Sequence, residues 1–337
     1  MAATNKQFVL AARPAGFPKP SDFRVVESPI PEPGPGQFLV GISYLSVDPY
    51  MRGRMNSARS YAAPQKLDEV MIGGTVGRVL ASRHPAFAEG EYVTGMFGWQ
   101  QYALSDGAGV LKVNPHLAPI STSLGVLGMP GLTAYFGLLD VCAPRPGETV
   151  VISGAAGAVG SAAGQIARIH GCRVVGIAGT AEKVRWITEE LGFDAAFDYH
   201  TENEKFDSLQ RLCPNGIDCY FDNVGGAISD AAFALMNSNG RVAICGQIAL
   251  YNLEKPSTGP RLLPLILTRT LTVKGFLVFQ YANRYEEALR RLAAWYGEGK
   301  LKYRETVAEG IENAPAAFLG MLRGANIGKQ IVRISNL

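Results

Sequence analysis

The chain has 337 residues, 47% of them apolar and 18% charged, with a net charge of +3. That length makes about two domains the expectation, and the composition is that of a soluble globular protein with a large core. With no basic run and so small a net charge, nothing points to nucleic acid or to an anionic membrane surface.

The opening MAATNKQFVLAARP lacks the apolar core of a signal peptide, and no apolar run reaches the length of a membrane span, so the expected setting is the cytoplasm. Gln7 to Ser28 alternates and reads as a two-stranded hairpin. Residues 29–36, PIPEPGPG, form a stiff connector, and Gln37 to Leu45 reads as a strong strand. Asp48-Pro49-Tyr50-Met51-Arg52 reads as a turn leading into Gly53-Arg54-Met55. Met71 to Ser82, Glu91 to Met96 and Trp99 to Leu104 add strands, which suggests a partly open barrel. From near Leu124 the pattern changes. Strand positions at Val150, Val174, Ala196, Cys219 to Phe221, Gly240 to Cys245 and Thr272 to Phe279 alternate with helices starting near Ser161, Glu182, Ser229 and Asn283. Alternation of this kind makes a doubly wound, mostly parallel sheet. A strand from Tyr303 to Val307, a helix from Ile311 to Arg323 and a strand from Gln330 to Ile334 close the chain. The expected domains are 1–125 with 303–337, β-rich, and 126–302, α/β, with the active site in the cleft.

Thr149 to Lys183 contains one βαβ unit. A β-branched strand runs into Gly154-Ala155-Ala156-Gly157-Ala158-Val159-Gly160, then an apolar helix from about Ser161 to His170 with Gly171 as its cap, then a strand from Arg173 to Ile177. At Gly157 a pyrophosphate can approach the backbone, and Gly160 lets helix and strand pack closely. Glycines serving only that packing are the alternative. The place where an NAD site carries an acid is Ala178-Gly179-Thr180, without a carboxylate. Lys183 comes shortly after, and a cation there suits a 2′-phosphate, which favours NADPH. A solvated helix lysine is the alternative.

The four histidines, His84, His116, His170 and His200, stand at no metal spacing from the cysteines, so a zinc site is not expected. The five cysteines are odd in number without a Cys-x-x-Cys pair, so free thiols are expected. A serine-hydrolase elbow is also missing, because Ser161 lies inside the phosphate-binding helix. There remains chemistry carried by a cofactor. Reduction of an activated alkene needs a donor for the developing oxyanion, and a tyrosine hydroxyl supplies one without a metal. Tyr251, in the loop after a nucleotide-domain strand, is the candidate, a surface-packed loop tyrosine being the alternative.

Longer strings identify a resemblance. They are SVDPYMRGRM from Ser46, GMPGLTAY from Gly128, the AAGAVG loop, FDNVGG from Phe221, CGQI with Tyr251-Asn252, and NIGK from Asn326. Over nearly its whole length the chain resembles the zinc-independent medium-chain dehydrogenases/reductases of the prostaglandin and leukotriene reductase branch. Arg59-Ser60-Tyr61, Gly73-Gly74-Thr75-Val76 and Leu124-Gly125-Val126-Leu127 bring it nearest the bacterial curcumin reductases, beside the alkenal double-bond reductases. The resemblance implies a Rossmann domain with a GroES-like partner. It places Gly157, Ala158, Val159 and Gly160 on the pyrophosphate and Lys183 with Tyr199 on the 2′-phosphate. Thr133, Asn223, Cys245, Gly246, Tyr251, the Phe276-Leu277-Val278 backbone and Asn326 would line the ribose and nicotinamide. Tyr251 would hold the enolate, and Tyr50 and Tyr61 would border the substrate. By their own residues, Asn223 reads equally as part of a strand-ending turn and Asn326 as a helix cap. Zinc-dependent relatives carry a cysteine near Ser46 and a Gly-His-Glu near Ile72-Gly73-Gly74, and both are missing here.

The expected activity is NADPH-dependent reduction of the C=C bond of an α,β-unsaturated ketone or aldehyde. Quinone reduction on the same scaffold and NADPH binding without turnover are the alternatives. The family habit and a strand Thr272 to Phe279 at a sheet edge suggest a homodimer. The segments Asn56 to Val70 and Glu254 to Leu267 read as irregular and would shape the pocket.

Overall fold

A computed structural model describes residues 4–201 and 205–335. The ends of the expected first domain, residues 1–3 and 336–337, lie outside them. The chain divides into two compact units, Met1–Leu124 with Glu305–Leu337, and Gly125–Arg304.

In the first unit, β1 (Thr4–Leu10) and β2 (Phe23–Pro29) pair antiparallel as a hairpin. β3 (Phe38–Ser46) is the centre of the main sheet and is buried along almost its whole length. After it, α1 (Tyr50–Arg54) stands in place of the expected turn. Pro49 is already in helical geometry at its cap, and Arg52 and Arg54 fall in the last turn, where the helix dipole favours cations. The strand expected from Met71 begins only at β4 (Thr75–Ser82). Residues 71–74 are irregular, and Met71 N–H turns aside to the Phe8 carbonyl at 2.8 Å. β5 (Tyr92–Gly95), β6 (Tyr102–Ser105) and β7 (Leu111–Val113) come next, the last, at three residues, too short to stand out in the sequence. β4 lies along one side of β3, and β6 covers Phe38–Gly41 on the other.

The second unit opens with α2 (Met129–Phe136), which runs on as a wider turn through Cys142. β8 (Thr149–Ser153) is fully buried, as its Thr-Val-Val-Ile-Ser sequence demands of a central parallel strand. α3 (Ala158–Ile169) begins three residues before the expected start, because Gly157 takes the extended cap conformation. Gly171, one residue past the His170 cap, has φ of +76°. β9 (Arg173–Ala178), α4 (Ala181–Arg185) and β10 (Ala195–Asp198) come next. α5 (Lys205–Leu212), not anticipated, is a short helix that buries only Ser208 and Leu209. β11 (Ile217–Asp222), α6 (Gly226–Ala234) and β12 (Met236–Ile244) complete the inner layer. The stretch Glu254 to Leu267 is not irregular throughout, because its second half enters α7 (Leu263–Thr268), started by a proline in its first turn. β13 (Thr272–Gly275) ends four residues before the expected Phe279, and α8 (Tyr285–Gly297) closes the unit. The six strands are parallel in the order β10-β9-β8-β11-β12-β13, a doubly wound Rossmann sheet whose carboxyl ends share one edge.

The tail returns to the first unit as β14 (Glu305–Glu309), α9 (Ala314–Leu322) and β15 (Lys329–Arg333). β15 pairs with β3 beside β6, giving a seven-stranded, mostly antiparallel sheet. Phe318 of α9 joins Phe23 and Trp99, with ring centroids 5.4–6.0 Å apart. The tail is also pinned by charge. The Lys329 ammonium donates to Asp48 Oδ1 at 2.8 Å and to the Val47 carbonyl at 2.9 Å, with both charged side chains under 10% exposed. Ser46 donates its hydroxyl to the other Asp48 oxygen. Lys329→Ala strands a buried carboxylate and should destabilise this unit by about 3–5 kcal/mol, whereas pairing it with Asp48→Ala should recover part of the loss. Urea unfolding of the two variants checks this.

Candidate functional site

Among the described residues, the candidate positions of the second unit other than Thr133 follow the carboxyl ends of its strands. β8 ends at Ser153, and Gly154 comes next with φ of +60°. A Cβ on Gly160 would overlap the Gly154 carbonyl and lie 2.9 Å from the Ala155 Cα, so only glycine lets α3 start against this strand end. A Cβ on Gly157 would touch only the Gly154 oxygen, at 3.3 Å, which leaves that face of the loop open. Ala158, Val159 and Gly160 are therefore not loop residues, as the sequence suggested, but the first turn of α3. The N–H groups of such a turn have no acceptor within the helix.

At the next strand ends, Tyr199 N–H bonds the Ala178 carbonyl at 3.0 Å. A Cβ on Gly179 would lie 3.0 Å from the Tyr199 ring. Thr180 caps α4 by accepting the Lys183 backbone N–H at 3.2 Å. Burial lowers the pKa of the Lys183 ammonium, against the opposing pull of Glu182 and Asp198. Glu182 faces Arg304, with 3.4 Å between Oε1 and Nη2. The structure thus puts Lys183, on the helix after β9, and Tyr199, just past β10, at neighbouring strand ends, with no carboxylate at positions 178–180 and with Glu182 and Asp198 beside the ammonium. Those residues fit a phosphorylated ribose better than a bare diol.

Asp222, at the end of β11, holds the centre of this edge. It is 1% exposed. Its Oδ1 accepts from Ser153 Oγ at 3.0 Å, Tyr220 OH at 2.9 Å and the N–H groups of Val224 and Gly225 at 3.0 and 2.9 Å. Its Oδ2 accepts from Ser229 Oγ at 2.6 Å and Gln247 Nε2 at 2.7 Å. Burial and the neighbouring carboxylate push the Tyr220 phenol well above its usual range. The sequence assigns Asp222 no role, and the resemblance implies one for Gln247 only as part of the Cys245 to Tyr251 loop lining the ribose and nicotinamide. A signal for Asp222 exists, since it directly follows the apolar run Cys219-Tyr220-Phe221, and an acid buried with such a run has to be paired.

Around this carboxylate lie the expected residues. Asn223 donates from Nδ2 to the Ser153 carbonyl at 2.7 Å and from its backbone N–H to Ser153 Oγ at 2.9 Å. The N–H groups of Cys245 and Gly246 bond the Asp222 carbonyl at 2.8 and 3.0 Å. Burial first, and Asp222 second, push the Cys245 thiol up to about 12, so it is no thiolate at neutral pH. Residues 248–250 form one tight turn, and the Tyr251 phenol oxygen folds back to accept the Gln247 N–H at 3.2 Å. Elsewhere in the unit, Thr133 donates to the Met129 carbonyl on α2 at 2.7 Å. Phe276 packs edge-on to Phe221 at 6.2 Å, and the Leu277 N–H is taken by Gln280 at 3.1 Å. Val278 opens a short helical turn instead of continuing a strand.

Three candidates belong to the first unit. Asn326 donates to the Gly328 carbonyl at 2.7 Å. Burial raises the pKa of the Tyr50 phenol, as do Asp48 and Tyr61, while Arg54 and the Gly74 N–H oppose. Tyr61 is 53% exposed. A surface hollow lined by residues 82–89 and Lys112 includes none of the candidates. Among the described residues, no three His, Cys, Asp or Glu side chains converge as metal ligands, and no helix is long and apolar enough to cross a membrane.

Two family models match, "N-terminal domain of oxidoreductase" over residues 6–113 and "Zinc-binding dehydrogenase" over residues 158–294. The chain is 46% identical to the NADPH-dependent curcumin reductase of Escherichia coli, covering 98% of this chain and 97% of that protein. It is 44% identical to prostaglandin reductase 1 of Bos taurus, covering 97% and 98%. Among solved structures, CurA from Vibrio vulnificus in complex with NADPH matches with a TM-score of 0.94 at 45% identity, over 98% of this chain and 100% of that one.

Proposed function

Since the chain belongs to the zinc-independent medium-chain dehydrogenases/reductases of the prostaglandin and leukotriene reductase branch, we propose that it is an NADPH-dependent reductase of the C=C bond of α,β-unsaturated ketones and aldehydes. The observation that carries the reading is the shared sheet edge. One buried carboxylate there joins the strand end before the glycine loop to the turn that holds Tyr251.

Gly157, Ala158, Val159 and Gly160 bind the pyrophosphate through the open loop face and the first-turn N–H groups of α3. Lys183 and Tyr199 take the 2′-phosphate. Thr133, Asn223, Cys245, Gly246, Phe276, Leu277, Val278 and Asn326 serve the ribose and nicotinamide, and Tyr50 and Tyr61 the substrate. When bound, NADPH supplies a hydride for the β-carbon of the alkene. As negative charge grows on the carbonyl oxygen, Tyr251 donates its phenolic hydrogen bond there, and the α-carbon takes up a proton. The Gln247 N–H directed at the phenol oxygen draws electron density from it and makes its O–H a better donor. Residues 126–302 are the NADPH-binding domain, and 1–125 with 303–337 the catalytic domain.

The setting is cytoplasmic and the assembly a homodimer. β13 is the sheet's outer strand, with Val273 37% exposed, and Leu263 and Leu267 of α7 are more than 75% exposed. Such an edge calls for a partner strand.

NADPH oxidation with 3-nonen-2-one should yield the saturated ketone, identified by mass and by its retained carbonyl. An allylic alcohol would overturn the reading. Lys183→Ala should weaken NADPH use by about 10- to 100-fold, the loss of a charge-assisted bond, and leave NADH use almost unchanged. Equal losses with both would remove the 2′-phosphate assignment. Sedimentation equilibrium should give twice the chain mass, and Val273→Arg should shift it towards one.

A further inference from the structure

Gln247 is anchored from both its side chain and its backbone. Its Nε2 donates to Asp222 Oδ2 at 2.7 Å and to the Gly246 carbonyl at 2.9 Å. Its backbone N–H donates to the Tyr251 phenol oxygen at 3.2 Å. The path of the side chain is kept clear by Gly225, which has φ of +76° and where any Cβ would overlap the Gln247 amide. A side chain at 225 is thus barred twice, by backbone geometry and by the amide beside it. Asp222, the anchor, is fixed in turn by Ser153, Tyr220, Ser229 and the Val224 and Gly225 N–H groups, so it gives the amide a rigid acceptor.

We propose that Gln247, held by Asp222, is the positioning residue for Tyr251. It sets the place of the phenol oxygen through its own backbone N–H, and it touches neither substrate nor cofactor itself. The inference rests on the reading of Tyr251 as the donor to the substrate oxygen. Two links support it. The amide tether fixes the peptide whose N–H meets the phenol, and the turn 248–250 returns the chain to that peptide within four residues. Without the tether this peptide is held only by the backbone bonds beside it, from the Gly246 N–H to the Asp222 carbonyl and from the Ile248 N–H to the Asn223 carbonyl, and a donor displaced by a fraction of an ångström loses its transition-state hydrogen bond first. Ground-state binding of NADPH, spread over many contacts, changes little.

Gln247→Met keeps the side-chain volume, removes both amide bonds and leaves Asp222 Oδ2 still met by Ser229. The test is a double-mutant cycle with Tyr251→Phe, reading kcat, KM for the enone, NADPH affinity by fluorescence and the thermal midpoint. Gln247→Met should lower kcat about tenfold, with the NADPH dissociation constant within about twofold of wild type. In the Tyr251→Phe background the same change should cost less than about twofold, because the group it acts through is already gone. An unchanged kcat in Gln247→Met, or the same loss in both backgrounds, overturns the proposal while the role of Tyr251 stands. A wild-type kcat in Tyr251→Phe alone overturns the reading of Tyr251 and the proposal with it. If Gln247→Met does not fold, Gln247→Asn, one methylene short of Asp222, takes its place in the cycle, and the same outcomes support or overturn the proposal.

Discussion

A carboxylate removed from water is tolerated only when its lone pairs are met, and Asp222 is met by six donors from five places in the second unit. They come from the end of β8, the body of β11, the turn after it, the first turns of α6 and the loop after β12. A shift of any of these segments removes a hydrogen bond from a buried carboxylate. The edge of the parallel sheet is therefore a rigid platform, although its visible features are loops. The glycine loop leaves this platform on one side and the Tyr251 turn on the other. That accounts for a flexible-looking sequence such as Gly154 to Gly160 having one defined shape.

The first unit uses the same device once more. Lys329 and Asp48 form a buried pair, and Ser46 adds its hydroxyl to Asp48. Ser46 stands near where the zinc-dependent relatives carry a cysteine, and its hydroxyl is committed to this ion pair. The pair also joins the chain's last strand to the segment entering α1, so the tail is fastened to the element that carries Tyr50. In both units a charge that looks anomalous in an apolar stretch turns out to hold the site's scaffold in register.

Much of the architecture is legible in the sequence because its signals are local. The β-branched run at Thr149, the alternation of strands and helices after Leu124 and the long family strings each lie within one stretch of sequence. The failures are also local in kind. α1 reads as a turn because Asp48-Pro49 resembles one, and only the packing around Met51 and Arg52 makes it helical. α5 and α7 escape because each is short and buries little, one two residues and the other none. The start of α3 falls three residues late because glycine argues against helix by propensity, while the contact of Gly160 with the Gly154 carbonyl requires it there.

The sequence by itself determined the Rossmann sheet, the β-rich partner, the family, and an NADPH preference argued from the residues just past the second strand of the βαβ unit. Those come from periodicity, turn chemistry and motif strings, which are properties of neighbours along the chain. Only the tertiary structure decided that Asp222 is the anchor of the site edge, that Gln247 reaches it past Gly225, and that Lys329 meets Asp48. Each of these joins residues from segments that only folding brings together, 281 positions apart for Lys329 and Asp48. Burial makes such pairings obligatory, and burial is settled only when the whole chain has folded.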